Sequence, residues 1–282
     1  MGRIIRTAVS VFCFLAVALF TSAALAAPLN GHVILAGSST IQPVAEAFGL
    51  AFEKRHADVR IDVHGGASSV GITAPQTGLA DIGMVSRPLR HNETRQLTFT
   101  TFALDGIALI AHASNPVGGL SKQQVIDLYT GTVANWNKLG GADAQIVVVN
   151  KEAGRGTRTL FEQYFGLAEQ VVSSALIIGP NGQAMLTIAG NPQAIAYVSI
   201  GAAEVAIRRG LPIKILALDG VSATQTNVQN GTYELRRPLN FVTAQPAQGL
   251  AKAFLDFVLT PTGQRLVMQH NFVPAYSQIA QH

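Results

Sequence analysis

Apolar and polar residues alternate along the chain in a way that predicts strands and helices in turn. Short apolar runs bounded by glycine, proline or polar residues are typical of buried strands, and stretches with one apolar helical face follow most of them. This alternation predicts an α/β protein with parallel strands and helices packed around them. The predicted strands span residues 33–36, 59–63, 82–85, 104–112, 146–149, 194–199, 213–218 and 233–242.

Several residues mark where the predicted helices begin and end. Pro43 suits the first turn of a helix, and Ser121 with Gln124 has the spacing of a capping box. Gly166 follows a helical face of aromatic and leucine residues and predicts the end of that helix. These signals support the assignment of the intervening stretches as helices.

Residues 146–166 have the pattern of a strand, a glycine-containing turn and a helix. Gly154 and Gly156 allow the backbone of the turn to come close to a ligand, and Thr157 is a candidate cap for the helix. The N–H groups at the start of a helix carry partial positive charge and attract anions. The turn is therefore a candidate anion site, although an ordinary turn with solvated cations would have the same sequence. The cations beside it are Lys151, Arg155 and Arg158.

Small hydroxyl residues follow each of the first three predicted strands. Ser39 and Thr40 follow the first strand, Ser68 follows the second, and Ser86 with Arg87 follows the third. Ligands of open parallel sheets collect beyond the carboxyl ends of the strands. The recurrence predicts a polar binding cleft there, while the alternative use of such residues is to cap the helices that follow.

The order of the elements predicts two doubly wound α/β lobes joined by two crossing strands. We place the first crossing at the break in residues 115–119 and the second at the strand over residues 233–242. Two lobes with anion-suited turns in both suggest a hinged cleft. The predicted division is 27–111 for the first part of lobe one, 112–233 for lobe two, and 234–282 for the rest of lobe one.

The first 26 residues have the pattern of a secretory signal peptide. Arg3 and Arg6 precede an apolar stretch at residues 8–20, and residues 24–26 form a small-x-small cleavage site. The apolar stretch is short for a transmembrane anchor, which is the alternative interpretation. We therefore predict that the protein is secreted to the periplasm.

Composition limits what the mature chain can do. Its single cysteine, Cys13, lies within the predicted signal peptide, so no disulfide or thiol chemistry is expected from Ala27 onward. Removing Arg3 and Arg6 lowers the formal net charge from +4 to +2. With 13% charged residues and no cluster of cations interleaved with aromatic residues, the chain fits neither a disordered protein nor a nucleic-acid binder.

Taken in order, these motifs make the chain resemble the periplasmic phosphate-binding proteins of ABC phosphate uptake systems. The resemblance covers nearly all of the mature chain, and the order and spacing of its motifs are more specific than any one of them. It implies the type II periplasmic-binding-protein fold, closing on one dehydrated phosphate for delivery to an ABC permease in the inner membrane. The motifs lie at residues 37–43, 81–87, 150–158, 194–198, 233–238 and 260–264.

The resemblance also implies which residues contact the anion. They are Ser39, Thr40, Ser68, Ser86, Arg87, Gly156 and Thr157. The family turn reads Arg-x-x-Gly-Ser-Gly-Thr, whereas here Lys151 replaces the arginine and Arg155 replaces the serine. We infer that Arg155 supplies the charge from a different point, because lysine cannot copy the planar fork of arginine. Both Lys151 and Arg155 therefore join the expected ligand-binding residues.

A second departure from the family concerns the proton of the ligand. Some relatives have an aspartate where this chain has Ser86, and that aspartate accepts the proton of monohydrogen phosphate and repels sulfate. Many relatives have Ser-Arg here, so the change indicates a branch of the family. Glu152 or a serine oxygen remain alternative acceptors, and losing the aspartate weakens discrimination between the anions.

Other functions are kept as alternatives. A receptor for sulfate, molybdate or another oxyanion has the same class of site, and a secreted non-transport module has the same fold. A phosphatase is least favoured, because the histidines lack metal-ligand spacing and no Gly-x-Ser-x-Gly elbow is present. We expect no cofactor, no nucleic-acid partner and a monomeric protein.

Overall fold

The computed structural model describes residues 28–275, so the predicted signal peptide lies outside the described residues. None of the helices within this range is long and apolar enough to cross a membrane. The strands are β1 (Gly31–Ser38), β2 (Val59–Gly66), β3 (Ile82–Val85), β4 (Thr98–His112), β5 (Gly119–Leu120), β6 (Val147–Lys151), β7 (Leu176–Ile178), β8 (Ala194–Ser199), β9 (Ile213–Leu218), β10 (Arg236–Thr243) and β11 (Val273–Pro274). The helices are α1 (Gln42–Glu53), α2 (Ser68–Gln76), α3 (His91–Thr94), α4 (Lys122–Tyr129), α5 (Gly156–Phe165), α6 (Asn181–Gly190), α7 (Ile200–Arg208), α8 (Gln225–Asn230), α9 (Gly249–Leu259) and α10 (Pro261–Gln269).

The strands form one continuous sheet with the order β2-β1-β3-β10-β4-β8-β6-β7. In the first lobe β1 runs parallel to β2 and β3, and in the second lobe β6 runs parallel to β7 and β8. β4 and β10 run antiparallel to each other between these two groups. The prediction of two doubly wound α/β lobes joined by two crossing strands is therefore confirmed.

β4 belongs to both lobes. Its residues from Thr98 to Gly106 pair with β10, and those from Ile107 to His112 pair with β8 or β9. The first crossing thus lies near Gly106, earlier than the break at residues 115–119 where the sequence analysis placed it. The apolar run begins only at Leu104, so the sequence hides the polar first half of this long strand. The predicted lobe boundaries themselves stay a prediction.

Each lobe has its own aromatic core. In the first lobe the rings of Phe102 and Phe241 stack with centroids 4.5 Å apart, which joins the two crossing strands. In the second lobe Phe161 of α5 stacks on Tyr197 of β8 at 3.8 Å. Fully burying one such side chain stabilises the fold by about 1.5–3 kcal/mol. Separate cores allow each lobe to keep its shape if the cleft opens.

The local signals in the sequence largely agree with the structure. Ser121 and Gln124 form the predicted capping box of α4, and Gly166 ends α5 in the left-handed conformation with φ of 69°. The structure adds elements that were not predicted in residues 167–193 and 219–232. They are β7, α6 and α8.

Candidate anion-binding site

A small polar cavity lies between the lobes, beyond the carboxyl ends of β1, β2, β3, β6 and β7. Both lobes contribute to its wall, as the sequence predicts for a hinged cleft. It is lined by Ser38, Ser39, Thr40, Gly66, Ala67, Ser68, Ser86, Lys151, Arg155, Gly156, Thr157, Gly179, Pro180 and Asn181.

The hydroxyl residues at the ends of β1, β2 and β3 form one buried cluster. Ser38 Oγ donates to Ser86 Oγ at 2.8 Å, and the backbone N–H of Ser86 donates to Ser68 Oγ at 3.1 Å. The parallel pairing of these strands brings their carboxyl ends to one edge of the sheet, which explains why the serine side chains at these ends are in contact. The structure brings the predicted Ser68 and Ser86 together and adds Ser38 to them.

The glycine turn of the second lobe packs directly on this cluster. A Cβ on Gly156 would lie 2.4 Å from Ser68 Oγ, and one on Gly154 would lie 2.5 Å from Ser69 Oγ. Gly154 also has φ of 81°, a conformation that other residues rarely adopt. These glycines let the two lobes touch at the start of α5, where free N–H groups favour an anion.

Arg155 crosses the cleft. Its Nη1 donates to Ser39 Oγ at 3.2 Å and to the carbonyl oxygen of Gly66 at 3.0 Å, both in the first lobe. Its Nη2 donates to Glu152 Oε2 at 2.9 Å, and the Glu152 side chain is about half exposed. Arg155 thus lines the cavity as expected and also joins the lobes.

Arg237, on β10, is a buried cation that the sequence analysis did not single out. Its Nη2 and Nε donate to Asp105 Oδ2 at 2.8 and 3.1 Å. Its Nη1 donates to Thr157 Oγ1 at 2.7 Å and to the carbonyl oxygen of Ser86 at 3.1 Å. Burial raises the pKa of the Asp105 carboxyl, while the positive charge of Arg237 opposes that rise. Arg237 therefore orders cavity residues of both lobes from behind the cavity wall.

The strand pattern contains a signal for Arg237. Leu235, Leu239 and Phe241 share its parity along the strand, and all three are buried, whereas Arg236 is exposed. Period-two alternation therefore places Arg237 among inward-facing apolar residues. An arginine at such a position is buried only when it is paired, which points to a site.

Lys151 is the cation at the floor of the cavity. Only 2% of the residue is exposed, and its Nζ has no hydrogen-bond partner within the described residues. Burial, together with the charges of Arg237 and Arg155, lowers the pKa of Lys151 to about 7. A buried nitrogen without a partner is costly, so this arrangement suits a ligand that contacts Nζ.

Two sequence-predicted residues have other surroundings or roles. Arg87 does not line the cavity, because its guanidinium group donates to both carboxylate oxygens of Glu93 at 2.7 and 2.8 Å. Thr157 was expected to cap α5, but the helix begins at Gly156 with Arg155 at the cap position and no side-chain cap. The Thr157 hydroxyl instead accepts from Arg237, inside the first turn of the helix.

Asn181 also lines the cavity without having been predicted. It begins α6, and its Nδ2 donates to Thr40 Oγ1 at 3.3 Å across the cleft. The missing signal was the short apolar run at residues 176–178 followed by glycine and proline, which is again a strand leading into a helix. Because β7 was not predicted, the turn that follows it at residues 179–181, which lines the cavity, was not predicted either.

The lining combines hydroxyls, amides, two side-chain cations and no carboxylate among the described residues. Such a surface offers hydrogen-bond donors and positive charge, which is the chemistry that binds an oxyanion. No group of acidic, histidine or cysteine side chains in residues 28–275 is arranged to hold a metal ion.

Comparisons with known proteins point to one family. A family model described as a PBP superfamily domain matches residues 22–262. The phosphate-binding protein PstS of Bacillus subtilis is 27% identical over 249 residues, which cover 87% of this chain and 81% of that protein.

Two solved structures share the fold along most of the chain. One, with bound phosphate, is of a Clostridium perfringens protein described as a phosphate ABC transporter substrate-binding protein. It is 36% identical, covers 87% of this chain and 100% of that one, and gives a TM-score of 0.82. An ABC-type phosphate transport receptor from Vibrio cholerae is 28% identical, covers 86% and 99% of the two chains, and gives a TM-score of 0.72.

Proposed function

The chain belongs to the family of the PBP superfamily domain, and on this premise we propose that it captures inorganic phosphate and delivers it to an ABC permease. The observation that carries the proposal is the buried Nζ of Lys151, which has no hydrogen-bond partner within residues 28–275 and belongs to a cavity walled by hydroxyl groups. The Clostridium perfringens relative, with phosphate bound, supports the same ligand.

In the proposed complex, donors from both lobes hold the phosphate oxygens. The first lobe supplies hydroxyls at the strand ends, and the second supplies the side chains of Lys151 and Arg155 and the N–H groups at the start of α5. Arg87, which the resemblance implied as a contact, is left out of the proposed contacts, and Arg237 acts behind the site as a positioning residue. The proposed contacts are Ser39, Thr40, Ser68, Ser86, Lys151, Arg155, Gly156 and Thr157.

The lobes already touch across the cavity, which supports ligand-favoured closure. Arg155 donates to Ser39, and the backbone N–H of Ser69 donates to the carbonyl oxygen of Gly154 at 3.1 Å. A ligand that contacts both lobes favours the closed form over the open one. A permease could then distinguish the loaded protein by its closed shape. We place this step in the periplasm, with the protein acting as a monomer.

The alternatives differ from this proposal in ways that can be measured. A receptor for sulfate or molybdate would use the same donors, and a secreted non-transport module would keep the fold without tight anion binding. The named relatives are substrate-binding proteins. We propose that this chain is likewise a binding protein and no enzyme.

Calorimetric titration of the mature, ligand-stripped protein tests the proposal. We expect one phosphate to bind per chain with micromolar or tighter affinity. This corresponds to a binding free energy of about −8 kcal/mol or a more negative value. Arg155→Ala should weaken binding by about tenfold or more, because charge-assisted hydrogen bonds are lost. Arg95→Ala is the control, because it also removes an arginine, but one that is exposed and lies outside the cavity lining.

The remaining outcomes discriminate between the alternatives. Absence of phosphate binding would contradict the proposal, and tight binding of molybdate or sulfate instead would favour another oxyanion receptor. A titration that shows no binding of any anion would favour a non-transport module. We expect no turnover of a chromogenic phosphate ester, and turnover that Ser68→Ala abolishes would favour an enzyme.

A further inference from the structure

Among the described residues, the cavity has no carboxylate that could distinguish phosphate from sulfate. At neutral pH the two tetrahedral anions differ mainly in that monohydrogen phosphate carries a proton and sulfate does not. A site separates them by presenting an acceptor, which bonds the phosphate proton and is left facing an oxygen when sulfate binds. No carboxylate lines this cavity among the described residues.

The nearest carboxylates are already engaged. Asp105 accepts two hydrogen bonds from Arg237 and is fully buried behind the cavity wall. Glu152 accepts two from Arg155 on the solvent side of the turn. Neither carboxylate faces the ligand position.

The serine oxygens at the cavity already accept hydrogen bonds: Ser39 from Arg155, Ser68 from the Ser86 N–H, and Ser86 from Ser38. This leaves the amine of Lys151, which has no hydrogen-bond partner among the described residues, as the free candidate acceptor.

Lys151 has the geometry for this task. Its Nζ is buried, has no hydrogen-bond partner in the described part of the chain, and belongs to a residue that lines the cavity. An unprotonated amine has one lone pair and two N–H groups, so it can accept one hydrogen bond and donate others. A protonated amine has three donors and no acceptor.

We propose that Lys151 distinguishes phosphate from sulfate by accepting the proton of monohydrogen phosphate with an unprotonated amine. The inference rests on the proposed phosphate function and assigns the residue that sets its specificity. Binding monohydrogen phosphate to the neutral amine shares one proton between nitrogen and phosphate oxygen, so no proton is taken from solvent. Binding sulfate requires the amine to be protonated first, so one proton is taken up.

The groups around Lys151 allow its amine to lose its proton at a much lower pH than an ordinary lysine. Arg237 of β10 and Arg155 of the turn both disfavour a further positive charge, and burial does so more strongly, which together lower its pKa to about 7. Asp105 and Glu152 are each paired with one of these arginines.

Tyr197 of β8 faces Lys151 from the remaining side. The centroid of its ring lies 5.9 Å from Nζ. Burial raises the pKa of the Tyr197 hydroxyl, so this residue stays uncharged, and at this distance its ring gives only a weak attraction to an ammonium group.

Calorimetry in two buffers of different ionisation enthalpy counts the protons that binding takes up. About two pH units above the pKa of Lys151, phosphate should bind without net proton uptake. Its affinity should not change between about one and two pH units above that pKa. Sulfate affinity should fall about tenfold for each pH unit above that pKa, with one proton taken up. About one pH unit below the pKa, where the lysine is charged, sulfate should bind measurably.

Opposite results overturn the proposal. They are proton uptake with phosphate at high pH, sulfate affinity that does not change with pH, or no sulfate binding even when the lysine is charged. A protein that binds no phosphate at any pH would instead contradict the proposed function, so the two failures are distinguishable.

The variant Lys151→Arg tests the residue itself, because a guanidinium stays charged across this range. It should bind sulfate with an affinity that no longer depends on pH. Retention of the wild-type pH dependence would overturn the role of Lys151. Should the variant not fold, the proton count of the wild-type protein still decides.

Discussion

At the scale of single residues, Arg237 explains how hydroxyls from both lobes are held in place. It donates to Thr157 from the second lobe and to the Ser86 carbonyl oxygen from the first, while Asp105 balances its charge. Because both ends of the ion pair are fully buried, removing one partner leaves an uncompensated charge. Arg237 therefore supports both stability and the geometry of the cavity.

Arg237→Met should lower the free energy of unfolding by about 3–5 kcal/mol, because Asp105 is left buried and unpaired. Chemical denaturation measures this loss, and phosphate titration should show weaker binding in the same variant. Arg236→Met is the matched control: this exposed neighbour on β10 donates a hydrogen bond to the carbonyl oxygen of Val228, so the variant should lose only about 1 kcal/mol.

A double variant separates the two roles of Arg237. Arg237→Met with Asp105→Leu removes both buried charges, so it should recover much of the lost stability without recovering phosphate affinity. Full recovery of affinity would show that Arg237 acts only on stability and would contradict its positioning role.

The sequence indicated the hydroxyls more reliably than the arginines. Ser39, Thr40, Ser68 and Ser86 were found because strand ends of a parallel sheet converge, which local pattern can reveal. Arg87 was expected at the cavity because it follows Ser86. Its partner Glu93 lies six residues on and draws its side chain away. Such a competing ion pair depends on the tertiary structure and cannot be predicted from residue spacing alone.

At the scale of elements, the start of α5 is where the lobes come closest. Gly156 is the first residue of this helix and lies against Ser68 and Ser86 of the other lobe. Its lack of a side chain serves contact between lobes as well as approach of a ligand. The local sequence of the turn indicates only the approach of a ligand, because the residues of the opposite wall lie far away in the chain.

Gly156→Ala should weaken phosphate binding, because the added Cβ would lie 2.4 Å from Ser68 Oγ and force the cleft apart. We expect a loss of about tenfold or more, measured by calorimetry. The matched control is Gly182→Ala at the start of α6, where an added Cβ meets nothing within 4 Å. Equal affinities for the two variants would contradict close packing of the lobes in the bound state.

The elements that sequence patterns missed share a physical cause. β7 and α8 are short, and α6 has a broad apolar composition in place of a clear amphipathic stripe. The crossing within β4 was misplaced for a related reason, since a strand can change partners without any change in its own pattern. Strand pairing is decided by residues that are distant in the sequence. Local periodicity therefore predicts where a strand lies better than it predicts which strands pair with it.

At the scale of the whole molecule, two aromatic cores flank one polar cavity. The crossing strands β4 and β10 link the cores, and contacts such as Asn181 to Thr40 bridge the cleft beside the cavity. This arrangement lets a ligand join rigid halves by bonding to both. The alternation of strands and helices was sufficient to predict two lobes. The chain has two series of strand–helix units, and each series needs its own sheet or its own half of a shared sheet.

A crystal structure of the mature protein grown with saturating phosphate tests the central claim most directly. The account predicts one tetrahedral ligand between the lobes, within about 3.2 Å of Lys151 Nζ and of hydroxyl oxygens from the first lobe. Phosphate bound away from this cavity, or a cavity that stays empty at saturation, would contradict the account.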